Sequence, residues 1–266
     1  MLISIPYFKM ILRDQRPFLI TYAVSLILFE LMVHWLVASS EFSAQSMKLV
    51  HMLPPAFKKF MGENMGLLSP LGFVALGYTH PMVYTIFAAF PAGLFGREII
   101  TAREKGTIEL TLCRPLSRTE FIMTTLFFFI CGLIFIGIMQ IFGVWLGLLV
   151  FRIEHPLYIF FPVVINLCCL FITIGGYTML ISASAKELSK ALTLIIGLTV
   201  GLYFLEFICS NIEAVDFLRI VNPFYYFKPQ KILGNGGYPW RDMAVLTGAG
   251  LIFIADSFRR FRRRDI

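Results

Sequence analysis

Apolar residues along this chain run in long blocks separated by short charged stretches. Six blocks stand out, at 18–38, 71–96, 121–151, 157–184, 191–209 and 242–258. A bilayer core of about 30 Å asks for about 20 predominantly apolar residues in a helix. The pattern therefore predicts an all-α membrane protein with six transmembrane helices in one domain over 1–266. The third block is longer than the bilayer needs and is expected to tilt or protrude. The last is short and contains Asp256. The first block is too long for a leader and has no small-residue cleavage site after it, so no cleavable signal peptide is expected.

The stretches between the blocks carry their own patterns. In "YFKMILRDQRP", Phe8, Ile11 and Leu12 share one helical face, while Lys9, Arg13 and Arg16 recur at i, i+4 and i+7 on another. That spacing predicts an amphipathic interfacial helix before the first span, ended by Pro17. Residues 41–65 are amphipathic and broken by Pro54-Pro55, which reads as two short surface helices. Met47, His51 and Met52 lie there. They can be read as a soft-metal site or, more plainly, as an apolar face on the membrane, since no second His or Cys joins them. Residues 211–239 are too polar and too broken to span. Their run "NPFYYFKPQKILGNGGYPW" predicts a re-entrant or interfacial helical hairpin between spans five and six.

The second block carries His80-Pro81, Pro91 and Gly93. A proline removes a helical hydrogen bond, so Pro91 and Gly93 mark either a hinge or an ordinary tolerated kink. Gly143-x-x-x-Gly147 and Gly197-x-x-x-Gly201 allow close helix approach, within one chain or between two copies.

Composition agrees with the blocks. Of 266 residues, 58% are hydrophobic and 15% charged, with 28 phenylalanines. A single soluble core could not hide so much apolar surface. The net charge of +7 reflects placement of basic residues. With the N-terminus in the cytosol, the cytosolic stretches hold Lys9, Arg13, Arg16, Arg97, Arg103, Lys105, Arg114, Arg118, Lys186, Lys190 and the arginines at 259, 260, 262, 263 and 264. That arrangement obeys the positive-inside rule and puts both termini in the cytosol. The arginine-rich tail abuts the last span, where it meets anionic lipid heads, so no nucleic-acid partner is expected. The five cysteines have neither a disulfide framework nor metal-like spacing. No metal site is expected.

Several chemistries are missing. The sequence has no G-x-x-x-x-G-K-[ST], H-E-x-x-H or G-x-S-x-G. This chain is therefore expected to bind no nucleotide or other cofactor of its own. Glu30 and His34 are the exception to a scattered set of ionisable residues, standing at i and i+4 on the first span. Ionisable groups at that depth are costly. The pair either lines a substrate path, with Glu206, Asn166 and Gln140 as weaker candidates, or satisfies itself against a neighbouring helix. An intramembrane enzyme built on Glu30 and His34 is a further reading.

Between the second and third blocks lies "GREIITAREKGTIELTLCRPLSR". Thr101–Glu104 and Ser117–Glu120 both fit the capping box [ST]-x-x-[DE]. Pro115 disfavours helix at Arg114 and separates them. The stretch predicts a short charged helix, a break, and a freshly capped membrane helix. It also resembles the cytosolic loop of ABC exporter permeases of the second type, the type V exporter fold. The matching pattern is a glutamate, Gly-Thr, Glu-x-x-Leu, then Pro and Ser-Arg. Here these are Glu104, Gly106, Thr107, Glu109, Leu112, Pro115, Ser117 and Arg118.

The resemblance extends to the amphipathic N-terminal helix, the six spans and the "NPFYYF" hairpin. It implies that 97–120 is a coupling segment docking on a separate ATPase, with Glu98, Arg103, Glu104, Gly106, Thr107, Glu109, Leu112, Arg114, Pro115 and Arg118 as its contacts. It implies two ATPase copies holding ATP and Mg, and a second permease copy, as a homodimer in the cytoplasmic membrane. The expected function is export of a hydrophobic or amphipathic substrate. The alternative is a non-transporting permease that passes mechanical work to a periplasmic or membrane partner.

Overall fold

The computed structural model describes residues 3–39, 70–104, 117–209, 212–235 and 237–263, and among these every regular element is helical. The surface segment expected over 41–65, with its methionines and His51, lies outside the described residues. Helix α1 covers Ile5–Ala38, α2 Pro70–Tyr78 and α3 Pro81–Phe95. A π-helical turn at Gly96–Thr101 and one α turn at Ala102–Glu104 follow. Next come α4 at Arg118–Val150, α5 at Phe161–Ser184 and α6 at Leu188–Cys209. A 3-10 turn at Leu157–Phe160 leads into α5, and the 3-10 turns Glu213–Val221 and Pro223–Tyr226, a short α7 at Pro229–Asn235, and α8 at Trp240–Arg263 complete the order.

Five helical stretches are long and apolar enough to cross a membrane: Ile5–Ala38, Leu71–Thr101, Arg118–Val150, Leu157–Ser184 and Leu188–Cys209. The sixth expected span corresponds to α8. Its apolar middle is flanked by Arg241 and Asp242 at one end and Asp256 with arginines at the other, so it falls outside that group. It nonetheless packs along α5 more extensively than any other helix pair packs.

The N-terminal segment corrects one expectation. Pro17 does not end an interfacial helix; α1 runs through it for 34 residues. The missing N–H lies on an exposed face, where water can satisfy the carbonyl it would have bonded, and Thr21 Oγ1 donates to Pro17 O at 2.9 Å. One stripe holds the helix to the bundle: Tyr7, Ile11, Gln15, Leu19, Ala23, Leu26, Glu30 and His34 are buried on it. The opposite stripe of Ile20, Val24, Leu28, Met32 and Trp35 is exposed. An exposed apolar stripe on a helix this long is what a lipid-facing surface requires.

The second span breaks at His80, not at Pro91. Pro81 disfavours helix at the preceding residue, so α2 closes with Thr79 N–H donating to Leu76 O at 3.1 Å. His80 Nδ1 then accepts from Met82 N at 3.2 Å and restarts the chain as α3. Pro91 is buried inside α3, which continues past it. The wider π turn begins at Gly96, where the N–H of Ala102 reaches back five residues to Arg97 O.

Glycines set the closest helix contacts. A Cβ on Gly132 would fall 2.2 Å from Phe90, and one on Gly175 would fall 2.2 Å from Phe129. The Phe90 and Phe129 rings stack at 5.9 Å between α3 and α4. At the α5–α8 crossing, a Cβ on Gly176 would lie 2.7 Å from Gly250 O. Small residues let two backbones meet there. Thr173 Oγ1 donates to Leu246 O at 2.6 Å across the same crossing.

Candidate functional site: the knuckle after the second span

The Ser117–Glu120 capping box forms as its spacing predicts. Glu120 N–H donates to Ser117 Oγ at 3.2 Å, and Ser117 N–H donates to Glu120 Oε2 at 2.8 Å. The Thr101–Glu104 box does not form. Thr101 is inside the π turn, and Glu104 turns to another helix. Its Oε1 accepts from Leu188 N–H at 2.6 Å, at the first residue of α6. A helix N-terminus has unsatisfied N–H groups and a partial positive charge, so a carboxylate is a suitable cap.

The other side of the knuckle holds α1. Tyr7 OH donates to Glu98 Oε2 at 2.7 Å. Arg97 lies with its guanidinium carbon 4.4 Å from the centre of the Phe18 ring. Gly96 sits under Leu188, whose side chain would be 3.1 Å from a Cβ there. Six π-helical residues therefore touch the first span, the second span and the start of the fifth. A π turn carries an extra residue within the helical ladder, and such turns are frequent at functional positions.

Further contacts collect the neighbouring chain ends on this same end of the bundle. Tyr7 stacks on Phe121 at 5.1 Å, and Phe121 stacks on Phe261 at 5.8 Å. Ser4 N–H donates to Thr124 Oγ1 at 2.9 Å. Arg260 Nη1 donates to Ser184 Oγ at 3.4 Å. The starts of α1, α4 and α6 and the ends of α5 and α8 thus meet around the knuckle.

Of the residues expected to couple, Glu98 and Glu104 are brought together here as bridges to α1 and α6. Arg103 falls in the turn Ala102–Glu104, and exposed Arg118 opens α4. Gly106, Thr107, Glu109, Leu112, Arg114 and Pro115 lie outside the described residues. Tyr7 and Leu188 escaped the sequence reading, which had Arg97 only as a cytosolic basic residue at the start of 97–120. Their partners lie far off in sequence, and only the density of charge around 97–104 hints at a junction.

The Glu30–His34 pair sits elsewhere, sealed between α1 and α4. The two residues are 1% and 0% exposed. Gln140 Nε2 on α4 donates to Glu30 Oε1. His34 Nδ1 lies 2.8 Å from Glu30 O and 3.5 Å from Glu30 Oε2. A carbonyl can only accept, so Nδ1 carries a hydrogen. Gly143 and Gly147 make room: a Cβ on Gly147 would be 2.5 Å from His34 Cγ, and one on Gly143 would be 3.0 Å from Glu30 Cβ. The Gly143-x-x-x-Gly147 motif is therefore used within the chain. A Cβ on Gly197 or on Gly201 would meet nothing within 4 Å among the described residues, and both stand on α6, the least buried of the five apolar spans.

Glu206 is remote from that pair. It holds Arg219 at 2.7 Å, between the far end of α6 and the 3-10 turn Glu213–Val221. Asn166 Nδ2 donates to Tyr226 O at 3.0 Å and anchors the next 3-10 turn. Among the described residues no group of three or more His, Cys, Asp or Glu could hold a metal ion.

A family model described as "ABC-2 family transporter protein" matches residues 1–266. No curated protein and no solved structure matches.

Proposed function

Because the chain belongs to the ABC-2 family of transporter proteins, we propose that it is the permease of an ATP-driven exporter whose separate ATPase docks on 97–120. The observation that carries this reading is the knuckle. One short π turn, entering the candidate docking segment, is bonded to α1 through Glu98, while the adjoining turn is bonded to α6 through Glu104. A partner pushing on 105–116 acts on α3 directly and on α6 through a short charged hydrogen bond. Charge-assisted bonds of this kind are stronger than neutral ones. ATP and Mg belong to the partner, and each complex holds two ATPase copies and two copies of this chain.

In this reading α8 is the sixth span. The basic residues of the knuckle end, Arg97, Arg118, Lys186, Lys190, Arg259 and Arg260, lie in the cytosol with both termini, in keeping with the positive-inside rule. The open face of α6 with Gly197 and Gly201 is the seam for the second copy. The cargo is hydrophobic or amphipathic, in keeping with the weakly charged bundle.

Glu30, His34 and Gln140 act as a lock between α1 and α4 in this account, and Glu206 acts as a strut for the outer turn. Their alternative role, on a substrate path, predicts that cargo stimulation of ATP hydrolysis changes in Glu30→Gln while folding stays normal.

The test is the purified complex in proteoliposomes. Glu104→Ala is expected to leave the ATPase bound and hydrolysing while ATP-driven movement of an amphiphile falls sharply. Full transport in that variant would remove the knuckle from the mechanism. A wild-type complex that hydrolyses ATP but moves no amphiphile would instead favour work on an external partner.

A further inference from the structure

The turn at Gly96–Thr101 holds one residue more than an α-helix needs over the same path. Its closing bonds show how little separates the two forms. Ala102 N–H bonds Arg97 O, five residues back, and Ile99 O, three residues back. The α-helical acceptor, Glu98 O, lies between those two. Moving the N–H onto it exchanges one backbone bond for another, and the α ladder gives Arg97 O the N–H of Thr101 in return. No proline stands in the turn; Pro91 lies upstream of it. The wider form is therefore not imposed by the local chain.

Contacts on either side hold it. Before the extra residue, Gly96 packs under Leu188, whose side chain would lie 3.1 Å from a Cβ there. Glu98 Oε2 accepts from Tyr7 OH at 2.7 Å. After the extra residue, Glu104 Oε1 accepts from Leu188 N–H at 2.6 Å. Leu188 is thus gripped twice, from both ends of the turn, and the two grips fit one register only. Absorbing the extra residue into an α turn rotates Ala102–Glu104 by about 100° and shifts it by about 1.5 Å along the axis. At the helix's outer radius of about 5–6 Å, the Glu104 carboxylate swings by about 8 Å. Leu188, held at Gly96, does not follow, and the cap on α6 breaks.

We propose that Gly96–Thr101 is a one-residue switch. Wide, it clamps the start of α6 to the second span through Glu104. Narrowed to an α turn, it releases α6 while Glu98 keeps its bond to α1. The switch takes the ATPase docking proposed above as its trigger, and the Glu104–Leu188 bond carries force only while the turn is wide.

Deletion of Thr101 tests this directly. Without Thr101, the bond from Ala102 N–H to Arg97 O becomes an ordinary four-residue bond, so the turn is α-helical with Glu104 still on Leu188. The spare residue is gone and the clamp is permanent. Hydrogen exchange at 188–192 is measured in the full permease–ATPase complex in nanodiscs, nucleotide-free and trapped with ATP and vanadate. In the wild type, trapping should speed exchange there by about fivefold, the scale of a lost N-terminal cap, and leave α5 unchanged. The Thr101 deletion should assemble, bind the ATPase, match the wild type without nucleotide, show no acceleration on trapping, and lose transport. Deletion of Ala89, inside the regular α3, should fail to assemble, because no spare residue absorbs it. Unchanged exchange at 188–192 on trapping an active wild-type complex overturns the proposal. So does acceleration that persists in the Thr101 deletion, fast exchange there without nucleotide, or a Thr101 deletion that assembles no better than the Ala89 one. If no ATPase binds the wild type, the docking reading fails instead. Assembly and exchange of the permease alone with Thr101 deleted then still decide whether the turn holds a spare residue.

Discussion

Glu30 shows how differently single residues can be read. Its i, i+4 partner His34 is visible in sequence because helical spacing alone brings the two together. Gln140 lies 110 positions away, and only its polarity within an apolar block marks it out. Gly147 could be assigned equally to packing within the chain or between chains. The His34 ring under it decides for the former. Truncating Glu30 leaves the Gln140 amide buried without its partner, while His34 Nδ1 keeps its bond to the backbone carbonyl of residue 30. Glu30→Ala should therefore lose about 1–3 kcal/mol of stability, read as a lower thermal midpoint of the detergent-solubilised protein. Gly147→Leu should cost a similar amount, about 1–3 kcal/mol, because the added side chain has to displace His34. The pair Glu30→Leu with Gln140→Leu separates structure from transport. Four buried polar atoms of this group, Glu30 Oε2, His34 Nε2, Gln140 Oε1 and nearby Tyr78 OH, have no hydrogen-bond partner among the described residues. An apolar replacement of both side chains should thus recover most of the stability lost in Glu30→Ala. A lock predicts retained ATP-driven activity in the stable double variant; loss of activity there would place the pair on the path.

Elements were legible where their signals are local. Ser117 and Glu120 are three residues apart, so the cap of α4 needs nothing from the rest of the fold. Pro81 likewise acts on its immediate neighbour. Pro17 misled because the rule that proline ends a helix assumes an unsatisfied interior carbonyl. On an exposed face of α1 that carbonyl is open to water. The π turn at Gly96–Thr101 has no recognisable spacing of its own, and the cap on α6 comes from Glu104, 84 positions from Leu188. Losing this cap should destabilise the start of α6 by about 1 kcal/mol, the usual scale of a lost N-terminal cap. Hydrogen exchange at 188–192 should accelerate in Glu104→Ala while exchange in α5 stays unchanged. Unchanged protection at 188–192 would mean that the bond does not hold α6. Tyr7→Phe removes the matching bond to Glu98 on the α1 side and should loosen 96–101 without affecting 188–192.

At the scale of the molecule, six blocks and one charged loop were enough to suggest a membrane bundle. Five of the blocks emerge as helices long and apolar enough to span. The sixth escapes that criterion because Arg241, Asp242 and Asp256 crowd its ends, yet its glycine-mediated contact with α5 makes it part of the same bundle. Which side of the membrane the knuckle faces rests on its basic residues. A membrane-impermeant thiol reagent should therefore reach a cysteine introduced at Asn235 from outside intact cells and miss one at Thr107. The account stands or falls on whether the loop after the knuckle is where the ATPase sits. The most direct measurement places a photo-crosslinking residue at Thr107, and a control at Asn235, in the active permease–ATPase complex in membranes. The account predicts an ATPase crosslink from Thr107 and none from Asn235. An active complex that gives no ATPase crosslink at Thr107, or gives one at Asn235, would contradict it.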